Sequence, residues 1–180
     1  DRSFAEIDGT LVKVDLSGFT RLSERLGASS VTGAEELNVV LNDVFGGLID
    51  IAHDHGGDIL QFGGDALLVW FEGDAHEHRA ASAAWSQQRA IQLRRAESTP
   101  VGPVRLRMSV GAASGGFGFV TVGRSHRELI VVGEAATRTI RLEQAAPSGS
   151  IYVDDAIASR VPGRQVAPGT HRLARRPAAA

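Results

Sequence analysis

An α+β domain with an antiparallel sheet flanked by helices is predicted by three features of the chain. Short β-branched or aliphatic runs recur between long segments whose apolar residues fall three and four apart. Clusters of glycine and proline separate these segments. A chain of 180 residues is also long enough to bury one substantial core, with little left for a second.

The first strand is predicted from Thr10 to Leu16, a mostly β-branched or aliphatic run that stops at Ser17-Gly18. Ser17 is placed to cap a short helix through Leu26. From Gly33 to His55, Leu37, Val40, Leu41, Val44, Leu48 and Ile51 mark one face of a long amphipathic helix, ended by His55-Gly56-Gly57. Asp58 to Phe62 and Ala66 to Phe71 read as strands, with Gly63-Gly64-Asp65 as the turn between them. An alanine-rich helix from about Ala75 to Ala96 follows, broken off by Ser98 to Pro103.

Strand character returns at Arg105 to Gly111, again at Gly115 to Val122, and in the apolar run Glu128 to Val132. A helix is expected from Gly133 to about Ala145, stopped by Pro147 and Gly149, and Ile151-Tyr152-Val153 is a short strand. The segment after Ser159, with three prolines and several arginines, reads as a tail or linker, so that 1–160 form the domain and 161–180 lie outside it. Strand, helix pair, strand, strand, helix, strand is a split βαβ order, as in ferredoxin-like folds. There the third strand lies between the first two and runs opposite to both.

Nineteen basic and 21 acidic residues give a formal charge of −2, which excludes a global field suited to nucleic acid or an anionic membrane. The absence of cysteine excludes disulfides, thiolate metal sites and cysteine nucleophiles, and fits a cytoplasmic setting. No apolar stretch approaches the roughly 20 residues of a membrane span. The chain opens at Asp1, as expected of a piece of something longer.

Asp15 and Asp65, fifty residues apart, carry the chemistry. Each acid interrupts an apolar run beside glycine, and an ionised carboxylate there must be solvated, paired or metal-bound. The predicted topology sets the two on adjacent strands. Strands lie about 4.8 Å apart and paired catalytic metals roughly 3.5–4 Å apart, so the two carboxylates can share two cations.

The run Val14-Asp15-Leu16-Ser17-Gly18-Phe19-Thr20, the hairpin Gly57 to Ala66, and Gly133-Glu134-Ala135 followed by Arg141-Leu142-Glu143 and Pro147-Ser148-Gly149 resemble the class III nucleotide cyclase catalytic domain. That family makes cyclic AMP or cyclic GMP. The resemblance implies that Asp15 and Asp65, helped by the Leu16 carbonyl, bind two Mg²⁺ or Mn²⁺ ions, and that Gly18, Phe19 and Thr20 offer helix N–H groups to phosphate. It also implies a dimer, with one domain giving metals and the other reading the base. In that second set the chain departs from the pattern. Gln61 stands at the adenine-selecting lysine, Ile130 at its partner aspartate and Thr137 at the ribose-orienting asparagine, whereas the transition-state arginine is kept as Arg141.

The chain is thus similar to the first, metal-donating cyclase domain of soluble bicarbonate-responsive adenylyl cyclases, with a second cyclase domain as partner and ATP or GTP as substrate. A homodimer would face two metal sites with two defective base pockets. Gln61, Ile130 and Arg141 would then line a base or regulatory pocket, while an ordinary surface arginine at 141 would pair with Glu134 or Glu143. The alternative is a pseudocyclase that dimerises and binds an anion or nucleotide without turnover. Gly63-Gly64-Asp65 also resembles the turn of diguanylate cyclases, but Ala66 stands where those place a second acid. His53 with His55 and His76 with His78 have the wrong helical spacing for a shared metal. Arg172, Arg175 and Arg176 lack the interleaved aromatics of a nucleic-acid surface.

Overall fold

The computed structural model describes residues 4–27, 31–97, 102–123 and 127–178. Its elements run β1 (Phe4–Ser17), α1 (Phe19–Gly27), α2 (Val31–Asp54), β2 (Asp58–Gly63), β3 (Ala66–Glu72), α3 (His76–Leu93), β4 (Arg107–Val122), β5 (Glu128–Val132), α4 (Glu134–Ala145), β6 (Ile151–Val153), α5 (Asp155–Ala158), β7 (Gly163–Ala167) and β8 (Thr170–Leu173). The expected chain break over 98–101 lies outside the described residues. One mixed sheet has the order β2-β3-β1-β4-β6-β8-β7, with β5 added to β4. As expected, β3 lies between β2 and β1, antiparallel to both.

Period-two alternation along β1 sorts its side chains to two faces. Val12, Val14 and Leu16 enter the main core, where they meet Leu22 of α1, Val44, Phe45 and Leu48 of α2, and the α3 alanines. Leu11 faces the opposite way, into a smaller cluster with Trp70, Phe117, Ala135 and Ala136. Ala80, Ala81, Ala83 and Ala84 are buried, and their small size lets α3 lie close to the sheet. The buried Gln87 Nε2 donates to the Leu48 carbonyl at 2.8 Å and ties α3 to α2. At the end of α2, Gly56 takes φ +71°, a conformation open to glycine.

Five expectations are corrected. The segments expected at 105–111 and 115–122 merge into one 16-residue strand over 107–122, because β1 runs as a continuous ladder beside it from Ser17↔Arg107 to Phe4↔Val120. Gly111 and Gly118 within it are points of close approach. β1 likewise starts at Phe4 rather than Thr10. Ser17 ends β1 and its hydroxyl bonds Ser148 Oγ at 2.7 Å instead of capping α1. Gly63 belongs to β2, leaving Gly64 and Asp65 as the turn, with Gly64 at φ +64°.

The stretch read as a tail or linker is instead built into the sheet. β8 pairs with β6 through Tyr152↔Arg172 and Val153↔His171, and β7 pairs with β8. Val161 and Leu173 are buried in the main core. The short β6 leaves an open edge, and a strand with a single core side chain suffices to cover it although its sequence is mostly polar. Beyond it the chain crosses α3, where His78 Nε2 meets the Ala178 carbonyl at 2.5 Å.

The helix α4 rests on β4 at Gly111. A Cβ there would lie 2.2 Å from the Glu143 amide nitrogen and 2.4 Å from the Thr139 carbonyl oxygen, both backbone atoms. Gly111→Ala is therefore expected to destabilise the fold by about 2–3 kcal/mol by pushing α4 off the sheet, measured by urea unfolding.

Candidate active site

Asp15 lies two residues before the end of β1 and opposite Ala66, the first residue of β3. Asp65 occupies the turn that enters β3. The Leu16 amide donates to the Asp65 carbonyl oxygen at 2.9 Å, so the turn is tied directly to the strand that carries Asp15. Alternation turns Asp15 away from the main core, onto the face that holds Leu11 and Lys13. Asp15 is half-buried there.

Burial raises the Asp15 pKa above the usual carboxylate value, the negative charges of Asp65 and then Glu143 raise it further, and Lys13 opposes them. Asp15 thus feels the charge of Asp65. Lys13 was not singled out in the sequence, and Glu143 only as a candidate partner of Arg141. Lys13 Nζ is ion-paired with Glu143 Oε2 of α4, and the only available sign was that residue 13 shares a strand face with residue 15. Glu143 is buried, which its place in a polar helix did not announce.

The donor set fits divalent cations. Two carboxylates on adjoining strand ends, with the Leu16 carbonyl nearby in sequence, are hard oxygen ligands of the kind Mg²⁺ and Mn²⁺ take, and a cation would offset the repulsion that adds to burial in raising the Asp15 pKa. Among the described residues no group of three or more His, Cys, Asp and Glu side chains has metal-binding geometry. A cation here therefore needs further oxygens from water or substrate phosphates, as Mg²⁺ commonly does. The histidines are engaged elsewhere: His55 Nδ1 lies 2.8 Å from the Ile51 carbonyl oxygen and His76 Nδ1 lies 2.8 Å from Thr10 Oγ1.

Gly18, Phe19 and Thr20 form the turn into α1. Gly18 has φ +94°, and an added Cβ would lie 3.0 Å from the Arg105 carbonyl oxygen. Leu22 N–H donates to the Gly18 carbonyl at 3.0 Å, and the amides before it have no acceptor within the helix. They lie immediately after the strand end that carries Asp15.

On α4, Thr137 and Arg141 are one turn apart and both exposed. The Thr137 hydroxyl donates back to the Gly133 carbonyl at 3.2 Å. Neither expected partner of a purely structural Arg141 is paired with it: Glu134 lies 3.6 Å from Arg138, and Glu143 binds Lys13. Arg138 is anchored instead by the buried Asp154 at 3.2 Å. Gln61 is exposed on β2 opposite Leu68, in the cross-strand row that continues through Lys13 to Gly111. Ile130, 42% exposed on β5, opposes Val120, nine positions further along β4. The sheet register brings Asp15 and Asp65 together but sets Gln61 and Ile130 in separate rows.

The arrangement has the fold of the class III nucleotide cyclase catalytic domains. Human adenylate cyclase type 10 is 30% identical to the chain over 153 residues, which are 80% of this chain and 9% of that protein. The chain therefore spans about a tenth of the length of this curated relative. Among solved structures, the adenylyl cyclase CyaB from P. aeruginosa has a TM-score of 0.77 at 22% identity, covering 98% of this chain and all of that one. The guanylate cyclase domain of RhGC from Catenaria anguillulae, solved in complex with GTP, has a TM-score of 0.76 at 20% identity, with 93% and 95% covered. No family model matches the chain. Among the described residues no helix is long and apolar enough to cross a membrane.

The raised Asp15 pKa has a definite sign. The folded state holds this proton more tightly than the unfolded chain, so ionisation weakens the fold as pH rises through the folded-state pKa, and the penalty is absent well below the unfolded value of about 3.9. In chelator, Asp15→Asn is expected to melt at a higher temperature than the parent at pH 7. The difference should shrink as the pH approaches 4, followed by thermal denaturation in a pH series.

Proposed function

We propose that the chain is the metal-donating half of a nucleotide cyclase that converts ATP to cyclic AMP and pyrophosphate at a domain interface. The observation that carries this reading is the tie between the ends of β1 and β3, which holds Asp15 beside Asp65 on a strand face outside the main core. In the reaction the ribose 3′-oxygen bonds the α-phosphorus, the bond from that phosphorus to the bridging oxygen breaks, pyrophosphate leaves, and the 3′-hydroxyl proton is lost. Two divalent cations, Mg²⁺ or Mn²⁺, supply neutralisation of the triphosphate and a more acidic 3′-hydroxyl when bound.

Asp15 and Asp65 hold these ions with the Leu16 carbonyl. The amides of Phe19 and Thr20 donate to phosphate oxygens, aided by the positive end of α1. Arg141, exposed and without a carboxylate partner among the described residues, is free to meet an anion across the interface, with Thr137 one turn away. Exposed apolar side chains are available to such an interface: Phe4 is 64%, Phe62 52% and Leu129 43% exposed.

ATP is favoured over GTP because the human relative is an adenylate cyclase, while the base-reading residues belong to the partner. Gln61 and Ile130 lack the charged pair that would read adenine, so these positions are assigned to a regulator rather than a base, and the complex to a heterodimer in a cytoplasmic setting. The exposed Ile130 also favours a second reading, a pseudocyclase module that dimerises and binds an anion or nucleotide without turnover.

Cyclic AMP formation with Mn²⁺ separates the two. The isolated chain is expected to be nearly inactive and to gain activity with a cyclase domain that carries the missing lysine, aspartate, asparagine and arginine; failure of every such pair to turn over would favour the module. Within an active pair, Asp65→Ala is expected to lower turnover at least about 100-fold with an unchanged melting profile in chelator, since a lost metal ligand removes more than a lost outer-shell contact. Normal turnover by that variant would refute the two-cation scheme.

A further inference from the structure

Far from the paired aspartates along the sheet order, α3, the loop before β6, and the β7–β8 hairpin enclose a cleft of about 820 Å³. Four arginines line it: Arg89 from α3, Arg164 from β7, Arg172 from β8, and Arg176 from the segment that crosses α3. No aspartate or glutamate lines it. Arg164 and Arg172 are directly opposed in the β7–β8 ladder, where like charges repel. Among the described residues none of the four guanidiniums makes a hydrogen bond or ion pair, whereas Arg94 and Arg138 each have carboxylate partners. Four unneutralised cations around one concavity, on a chain with formal charge −2, are an unfavourable arrangement that an anion would relieve.

We propose that this cleft is a second binding site, for a small anion bearing several phosphates. Guanidinium forks match phosphate oxygens, and two to four of them around one cleft suit a ligand with more than one negative phosphate. The volume falls within the roughly 300–1,000 Å³ of small-molecule sites. Arginines converging on a concavity from α3, β7, β8 and the segment beyond suit a compact ligand rather than the extended groove that tracks a nucleic-acid backbone. Polar groups of Ser86 and Gln92 add donors at the rim, and Trp85 forms part of the wall. The site does not depend on Asp15 or Asp65, so it stands or falls apart from the cyclase reading.

The test uses the whole chain in chelator, titrated with inorganic tripolyphosphate and separately with ATP, followed by calorimetry and tryptophan fluorescence. Trp85 lines the cleft and Trp70 is buried in the opposite cluster, so Trp85→Phe should abolish the fluorescence change without abolishing the heat. Saturable binding at one site is expected, equal within about twofold in Asp15→Ala/Asp65→Ala and weakened at least about tenfold in Arg89→Ala/Arg172→Ala. Arg89→Lys/Arg172→Lys, which keeps the charges, should retain most of the affinity and guards against a folding defect. Raising salt from about 50 to 200 mM should weaken binding several-fold. Tighter binding of ATP than of tripolyphosphate would mark the ligand as a nucleotide, and equal binding as an inorganic phosphate chain; both support the site. No saturable binding, unchanged binding in the alanine variant, loss in the aspartate variant, or much tighter binding of a single-stranded oligonucleotide would each overturn the proposal.

Discussion

The antiparallel ladder that joins the end of β1 to the start of β3 is the constraint on which the candidate active site depends. Its register sets Asp15 opposite Ala66, and the bond from the Leu16 amide to the Asp65 carbonyl draws the turn against the strand end. The charge of Asp65 thereby adds to burial in disfavouring the ionised form of Asp15. Backbone hydrogen bonding and the burial of Val14, Leu16 and Leu67 beneath them supply the opposing stabilisation, because the same residues that position the acids also anchor the main core. A site that concentrates like charge in this way is poised for a cation, and the fold tolerates it because Asp15 retains contact with solvent and Lys13 offsets part of the field.

The sheet separates two tasks by its two faces. One face takes α1, α2 and α3 and forms the continuous apolar core. The other carries Leu11, Lys13 and Asp15 and is covered in part by α4, which presses on Gly111 and brings Glu143 to Lys13. Arg141 and Thr137 project from the same helix into solvent while Thr139 and Leu142 seat it. The placement of Arg141 and Thr137 and the packing of α4 are therefore coupled through one glycine.

Sheet order also keeps charge of opposite sign apart. The aspartates lie at β1 and the turn before β3, and the arginine-lined cleft lies at the β8–β7 edge, with β4 and β6 between. The proposed cation site and the proposed anion cleft can then coexist on a chain whose net charge is close to neutral, since screening over about 8–10 Å isolates them.

Much of this was written in local sequence. The alternation of β1, the amphipathic spacing of α2, the glycine turn before Asp65 and the misplaced acids themselves were legible because each depends on near neighbours in the chain. Tertiary structure alone decided the rest. The ladder with β1 made one strand of the glycine-interrupted β4, the open edge of β6 recruited a polar segment as β8, the contact of α4 with the sheet brought Glu143 to Lys13, and the hairpin gathered Arg164 and Arg172 with Arg89. The physical reason is common to all four: a backbone edge, a buried ion pair or a cleft exists only between segments distant in the chain, and local propensity carries no record of which partners will meet.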